Sequence, residues 1–447
     1  MASASEQLAA QINFGAFSKA ADLQKRVWFT LGVLIVYRLG SYVPIPGIDP
    51  EALAEVFRQQ AGGIFGLFDV LAGGAFSRMT IFALNIMPYI SASIIMQLMT
   101  TVSPTLEAWK KEGEAGRKKI NQYTRYGTVI LSLLQGYGIA VGLEGMRAAG
   151  GGAVIDPGFA FRVITAITLT GGTIFLMWLG EQITARGVGN GISLIIMVGI
   201  VAALPQAIGG TLELGRTGAL SPIFIVFLMV MVVAVVAVIV YVERAQRRVI
   251  VQYPKRQVGM KMFGGQSSHL PLKLNTSGVI PPIFASSILL LPITIANFSA
   301  SGGPEWLGRV SALLAHGTPL YMALYIAGIV FFCFFYTAIV FNPTETADNL
   351  KKNGGFVPGI RPGKNTADFL DYVLTRLTVV GSAYLSAVCI LPEILISQYA
   401  VPFYFGGTSL LIVVSVTMDT TAQIQGHLLA HQYEGLIKKS KLKGRGR

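Results

Sequence analysis

The chain has 447 residues, 53% of them apolar and 13% charged, against about 25% charged in an ordinary soluble domain. Its 35 Lys and Arg outnumber 22 Asp and Glu, for a formal net charge of +13. That composition excludes a soluble globular domain. The basic excess is not a nucleic-acid footprint either, because no RNA-binding or zinc motif accompanies it.

Residues 1–26 lack the apolar core and cleavage site of a signal peptide, so Val27–Val43 reads as an uncleaved signal-anchor. A bilayer core needs roughly 17–25 apolar residues per helix. Further spans are expected at Thr80–Val102, Tyr126–Leu143, Phe161–Leu179, Ile192–Ile208, Ile223–Val242, Val279–Ala296, Leu320–Phe341, Leu374–Leu391 and Phe403–Met418. With ten spans both termini share one side, and 28 of the 35 basic residues fall on that side. They cluster before Val27, in Lys110–Arg125, at Arg186, in Arg244–Lys273 and Lys351–Arg376, and from Lys438 onward. Loop Lys and Arg stay cytoplasmic, so residues 1–26 and the basic tail 425–447 are expected in the cytoplasm.

Before the second span, Ile64–Ala72 is apolar but too short to cross, and Gly73-Gly74 separates it from that span. It reads either as a surface amphipathic helix or as a segment folded into the mouth of a cavity. Five spans precede the loop Gly209–Ser221 and five come after it, giving halves 27–210 and 211–424 of opposite orientation. That is the pattern of an inverted repeat with a pathway between the halves. Ile86–Ile94 and Ile280–Ile288, each in the second span of its half, agree at four of nine positions, a proline included. Two cytoplasmic loops, 243–275 and 342–371, are long, basic and rich in turn formers. Topology alone needs fewer residues, so they are expected to be docking surfaces.

Catalytic signatures are missing. There is no Walker A sequence, GxSxG, HExxH or paired CxxC. Gly187-Val188-Gly189-Asn190-Gly191 has a phosphate-loop look without the preceding strand, and His427 with His431 lacks a third ligand. Cys333 and Cys389 sit within spans as packing residues. A membrane-embedded enzyme or a small-solute transporter needs ionisable groups within its spans, but Glu181, Glu243, Arg376 and Asp419 lie near span ends. The chain therefore reads as a conduit, not an enzyme, with no cofactor or metal.

Several motifs then become specific. Tyr42–Asp49 (YVPIPGID), Ile81–Gln97 (IFALNIMPYISASIIMQ), Lys110–Tyr126, Trp178–Ile183 with Arg186–Ser193, His269–Lys273, Phe341–Gly363 and Pro402–Ser409 together resemble the SecY family, the channel subunits of bacterial Sec protein translocases. The likeness covers essentially the whole chain. It implies an all-α polytopic membrane fold of ten helices in two inverted five-helix halves, around an hourglass pore that opens sideways between spans two and seven. It implies transport of unfolded secretory polypeptides across the bacterial inner membrane, and lateral release of transmembrane segments into it.

The resemblance also assigns residues. A pore ring falls on Ile86, Ile90, Ile192, Ile196, Ile283 and Ile412, where an apolar constriction would stop ions by dewetting. A plug falls on 64–78, with Ile64, Phe65, Leu67, Phe68, Val70, Leu71 and Arg78. A lateral gate falls on Gln97, Asn190, Asn275 and Thr276, and docking on Lys255, Arg256 and Arg361. Implied partners are the SecE and SecG subunits, the SecA ATPase, the ribosome, signal sequences and nascent chains, SecDF and YidC, and the phospholipid membrane itself. Two departures stand out: Asn85 where the family favours Gly, and Thr344 where Arg is common.

Overall fold

The computed structural model describes residues 20–60, 69, 72–145, 147–148, 151–218, 221–254, 256–258, 261–263, 267–299, 313, 318–399 and 407–444. Helices occupy most of them: α1 (Ala21–Gly40), α2 (Pro50–Gln60), α3 (Met87–Val102), α4 (Pro104–Lys111), α5 (Glu114–Gly145), α6 (Phe159–Arg186) and α7 (Gly191–Arg216). They continue as α8 (Pro222–Arg244), α9 (Ile280–Ser299), α10 (Pro319–Val340), α11 (Pro343–Lys352), α12 (Lys364–Tyr399) and α13 (Gly407–Gly444). Each of the ten expected spans overlaps one of these helices, and among the described residues six are long and apolar enough to cross a bilayer.

One span departs from expectation. Thr80–Ile86 is a chain of turns, and helix starts only at Met87. Pro88 stands in the first turn of α3, where its missing N–H costs nothing and its ring blocks extension of the helix backwards. Met79 and Asn85 have φ of 40° and 49°, which a helix cannot contain.

The chain divides into two compact units, Met1–Gly209 with Ile295–Gly308 and Ile412–Arg447, and Gly210–Thr294 with Arg309–Leu411. In the first, α5 and α6 pack so closely that a Cβ on Gly136 would lie 3.2 Å from Ala166 Cα. Small residues allow this approach where lipid supplies no hydrophobic drive. Arg125–Glu181 (2.8 Å) ties one end of the pair and Glu144–Arg162 (2.6 Å) the other.

In the first unit Arg147–Ala148 (β1) pairs with Gly151–Gly152 (β2). In the second unit the two long loops fold together. Gln246–Gln252 (β3) pairs antiparallel with Ser267–Lys273 (β6), because alternate residues Val249 and Val251 turn inward while Arg247 and Arg248 stay out. Between them Arg256–Val258 (β4) pairs with Lys261–Phe263 (β5). Gln252 and Phe356 exchange backbone hydrogen bonds of 2.9 and 3.0 Å, joining the first loop to the second. Val249, Leu272, Val357, Leu370, Val373 and Leu374 form the core beneath, each side chain worth ~1.5–3 kcal/mol when buried. Asn342 caps α11 by accepting from Thr344 N–H and Glu345 N–H at 3.1 and 3.3 Å.

Candidate functional site

Residues Ala72–Ile86 are irregular backbone, mostly buried among helices, and several of their polar groups are satisfied locally. Gly74 N–H donates to Asp69 O at 2.8 Å, and Ser77 N–H to the Asp69 carboxylate at 2.7 Å. Burial raises the Asp69 carboxyl above its ordinary value, an effect that the Ser77 hydrogen bonds and the nearby Arg78 charge oppose. Arg78 donates through Nε to Gly74 O (2.7 Å) and through Nη2 to Gly73 O (3.4 Å). Arg38, at the end of α1, donates to the same Gly73 oxygen at 3.1 Å. Both guanidinium groups lie over the Tyr42 ring, at 5.6 Å for Arg38 and 4.2 Å for Arg78.

Gly73 has φ of 64° and a Cβ there would lie 2.8 Å from Gly199 O, so only glycine lets this strap lie against α7. Further on, Ile45 N–H donates to Met79 O and Ile81 N–H to Val43 O, both at 3.0 Å. Phe82 stacks between Tyr37 and Phe175, with ring centroids 6.0 Å from each. Non-helical backbone at membrane depth requires such enclosure by protein. Arg38 belongs to none of the motifs above, and Tyr42 opens the Tyr42–Asp49 motif without a role assigned to it. The signal that could have found them is an arginine near a span end, a few residues before an aromatic.

Of the expected plug residues, Arg78 is exposed and anchored as above, while Ile64, Phe65, Leu67, Phe68, Val70 and Leu71 lie outside the described residues. Among the six isoleucines, Ile86, Ile196 and Ile412 are buried, and Ile90, Ile192 and Ile283 are half-buried. Ile90 N–H donates to Ile86 O at 3.1 Å, which sets those two side chains one turn apart. Five of the six belong to the first compact unit, and Ile283 belongs to the second.

The SecY family model matches residues 80–421. The chain belongs to the SecY family. It is 57% identical over 427 residues to the Escherichia coli (strain K12) protein translocase subunit SecY, covering 95% of this chain and 96% of that one. Among solved structures it shares its fold with a SecY translocation channel whose plug domain stabilises the closed state and maintains a membrane seal. That match has a TM-score of 0.60 and 19% identity, over 90% of this chain and 92% of the other. It likewise resembles Sec61 in the canine ribosome-channel complex from the endoplasmic reticulum, with a TM-score of 0.58, 18% identity and the same coverage. The chain is thus an all-α polytopic membrane protein and a protein-conducting channel, not an enzyme.

Within that family frame the remaining candidate residues have these surroundings. Asn190 is exposed and caps α7, its Oδ1 accepting from Ile192 N–H at 3.1 Å and Ser193 N–H at 3.4 Å. Asn275 is buried in the second unit, donating to Glu243 Oε1 at 2.7 Å and Gly278 O at 3.1 Å, while Ser277 donates to its Oδ1 at 3.0 Å. Thr276 donates to Lys273 O at 3.1 Å. Gln97 donates to Ser93 at 3.4 Å, and its Oε1 is buried without a partner among the described residues. Arg361 is exposed, Arg256 opens β4, and Lys255 lies outside the described residues. Among the described residues no cluster of His, Cys, Asp and Glu could hold a metal ion.

Proposed function

We propose that this chain carries unfolded secretory polypeptides across the bacterial inner membrane, and releases apolar segments sideways into it, through a pathway between halves 27–210 and 211–424. Residues 1–26 and 425–447 lie in the cytoplasm. Ile86, Ile90, Ile192, Ile196, Ile283 and Ile412 form an apolar waist, residues 64–78 plug it, and Gln97, Asn190, Asn275 and Thr276 line the seam that parts for a signal sequence. Loops 243–275 and 342–371, with Lys255, Arg256 and Arg361, dock the ribosome or SecA. SecE and SecG are companion subunits, with SecDF and YidC as further partners.

The distribution of charge is the observation that carries the reading. The charged residues within the expected spans are Arg38, Arg162 and Arg376, each within about five residues of a span end. A chain with no fixed charge at mid-span gives a solute or proton nothing to bind, whereas an apolar waist can dewet when idle and yield to a passing polypeptide. Resemblance to a plug-sealed channel and to a ribosome-bound one supports the seal and the docking role.

The test is reconstitution into vesicles with a SecE-like subunit, SecA and ATP. A preprotein should become protease-protected only with all of them present. Ile86→Gly combined with Ile196→Gly should make the idle vesicles leak ions. Unchanged conductance would remove the ring, and transport without this chain would remove the function.

A further inference from the structure

The Gly187–Gly191 turn, with its superficial likeness to a phosphate loop, has the amides of Gly187, Val188, Gly189 and Gly191 satisfied by protein acceptors. Gly187 N–H donates to Ile183 O at 2.7 Å, and Gly191 N–H to Thr184 Oγ1 at 2.9 Å. Two others reach across long stretches of sequence. Val188 N–H donates to Thr30 Oγ1 on α1 at 3.1 Å, and Gly189 N–H to Gln423 Oε1 on α13 at 3.0 Å. Thr30 is itself oriented, because its hydroxyl donates to Arg26 O at 2.9 Å.

The glycines make this closeness possible. A Cβ on Gly187 would strike Thr30 Oγ1, one on Gly191 would strike Gly180 O, and Gly189 has φ of 88° with Thr420 Oγ1 3.0 Å from where a Cβ would stand. Ala20, Leu23, Val188 and Leu428 close the joint with an apolar cluster, to which Val27 and Ile424 add. Further along the same helices, Thr417 Oγ1 lies 3.6 Å from Met197 Sδ, a second tie between α13 and α7. All of these residues belong to the first compact unit.

We infer that Thr30 and Gln423 are positioning residues which, through this turn, lock α1, α7 and α13 into one joint, so that Ile192, Ile196 and Ile412 move as a block. The inference rests on the ring reading above. Its consequence is that the waist widens by displacement of the segments bearing Ile86, Ile90 and Ile283, while α7 and α13 stay together at the turn. Backbone N–H groups buried without an acceptor are costly, which is why parting α7 from α13 at Gly189 is resisted.

Amide hydrogen exchange on the reconstituted complex tests this directly. In the native protein, residues 187–193 should keep the same protection in the idle channel and with a preprotein stalled inside. Exchange about tenfold faster in the stalled state, roughly 1.4 kcal/mol of lost protection, would overturn the joint. Thr30→Val keeps the shape and removes the acceptor, so it should speed exchange at 187–193 about tenfold, from the loss of one buried hydrogen bond, and raise idle ion conductance. Thr30→Ser should restore both.

Gln423→Leu should behave like Thr30→Val, and Gln423→Glu, which retains an acceptor oxygen, should stay near the native protein. Unchanged exchange in both acceptor-deleting variants would sink the inference, and so would faster exchange without any change in conductance. A leak-free pair of ring isoleucine variants would instead count against the ring, leaving the exchange measurement to judge the joint. If a variant fails to fold, the comparison of idle and stalled native protein still decides.

Discussion

Helices α6 and α8 are each long enough to cross a bilayer, and they use their residues in opposite ways. α8 (PIFIVFLMVMVVAVVAVIVYVER) is apolar around its whole circumference, yet only Leu228 and Ile239 are buried. α6 carries threonines and glycines along its length and buries twelve side chains or glycines, among them Thr165, Thr170, Thr173, Gly172 and Gly180. Thr170 and Thr173 satisfy their hydroxyls on their own helix, at Ala166 O and Leu169 O. Apolarity in a membrane chain thus marks contact with lipid, and small or hydroxyl-bearing residues mark contact between helices. Among the six described helices long and apolar enough to cross a bilayer, the most hydrophobic is also the least buried.

The comparison breaks most visibly at Gly172. A Cβ there would run into the Ile81 backbone oxygen, so the turns of Thr80–Ile86 would have to move. Gly172→Leu should lower the thermal midpoint of the detergent-purified complex by an overpacking cost of ~1–3 kcal/mol. It should also disturb Phe82, whose ring stacks on Phe175 one turn further along α6. A stability equal to the native protein would mean that α6 and the 80–86 turns do not touch as described.

Next in size is Asn85, buried with φ of 49°. Asn85→Ala and Asn85→Gly both delete the amide side chain, so the difference between them isolates the backbone. Glycine should be the more stable variant by ~1–2 kcal/mol, the cost of a left-handed conformation for a residue with a Cβ. Equal melting of the two variants would show that the turn relaxes freely. Asparagine is among the residues that tolerate this conformation best, which is a physical account of why it can stand where the resemblance leads one to expect glycine.

Legibility from sequence obeys the same division. The ten apolar stretches all overlap helices, because hydropathy reports the lipid-facing requirement directly. Hydropathy also assigns Thr80–Ile86 to a helix, since its residues are as apolar as their neighbours in α3. Only Pro88 and Asn85 carry the contrary signal. Asn190, assigned by resemblance to a polar bridge, stands just before the apolar run of α7, which is a helix-start pattern, and it serves as the cap. Alternating Val249 and Val251, within a loop rich in turn formers, are the trace of strand β3. Thr30 with Val188 and Gln423 with Gly189 cannot be read from the sequence at all, because 158 and 234 residues separate the partners.

The smallest expected effect lies on α8 and tests the other half of the comparison. Val226, Val230 and Val233 are each more than 60% exposed. Replacing all three with Leu adds methylenes to a surface whose solvent is hydrocarbon, where Val and Leu differ by a few tenths of a kcal/mol at most. Stability should therefore stay within about 0.5 kcal/mol of the native protein, and preprotein transport should be unchanged. The control is Leu228→Ala, on the buried side of the same helix, which should cost ~2–5 kcal/mol if that site packs like an ordinary core. A triple variant that transports more slowly while melting normally would show that this face of α8 meets a protein partner in the assembled channel, and lipid contact alone would no longer account for its composition.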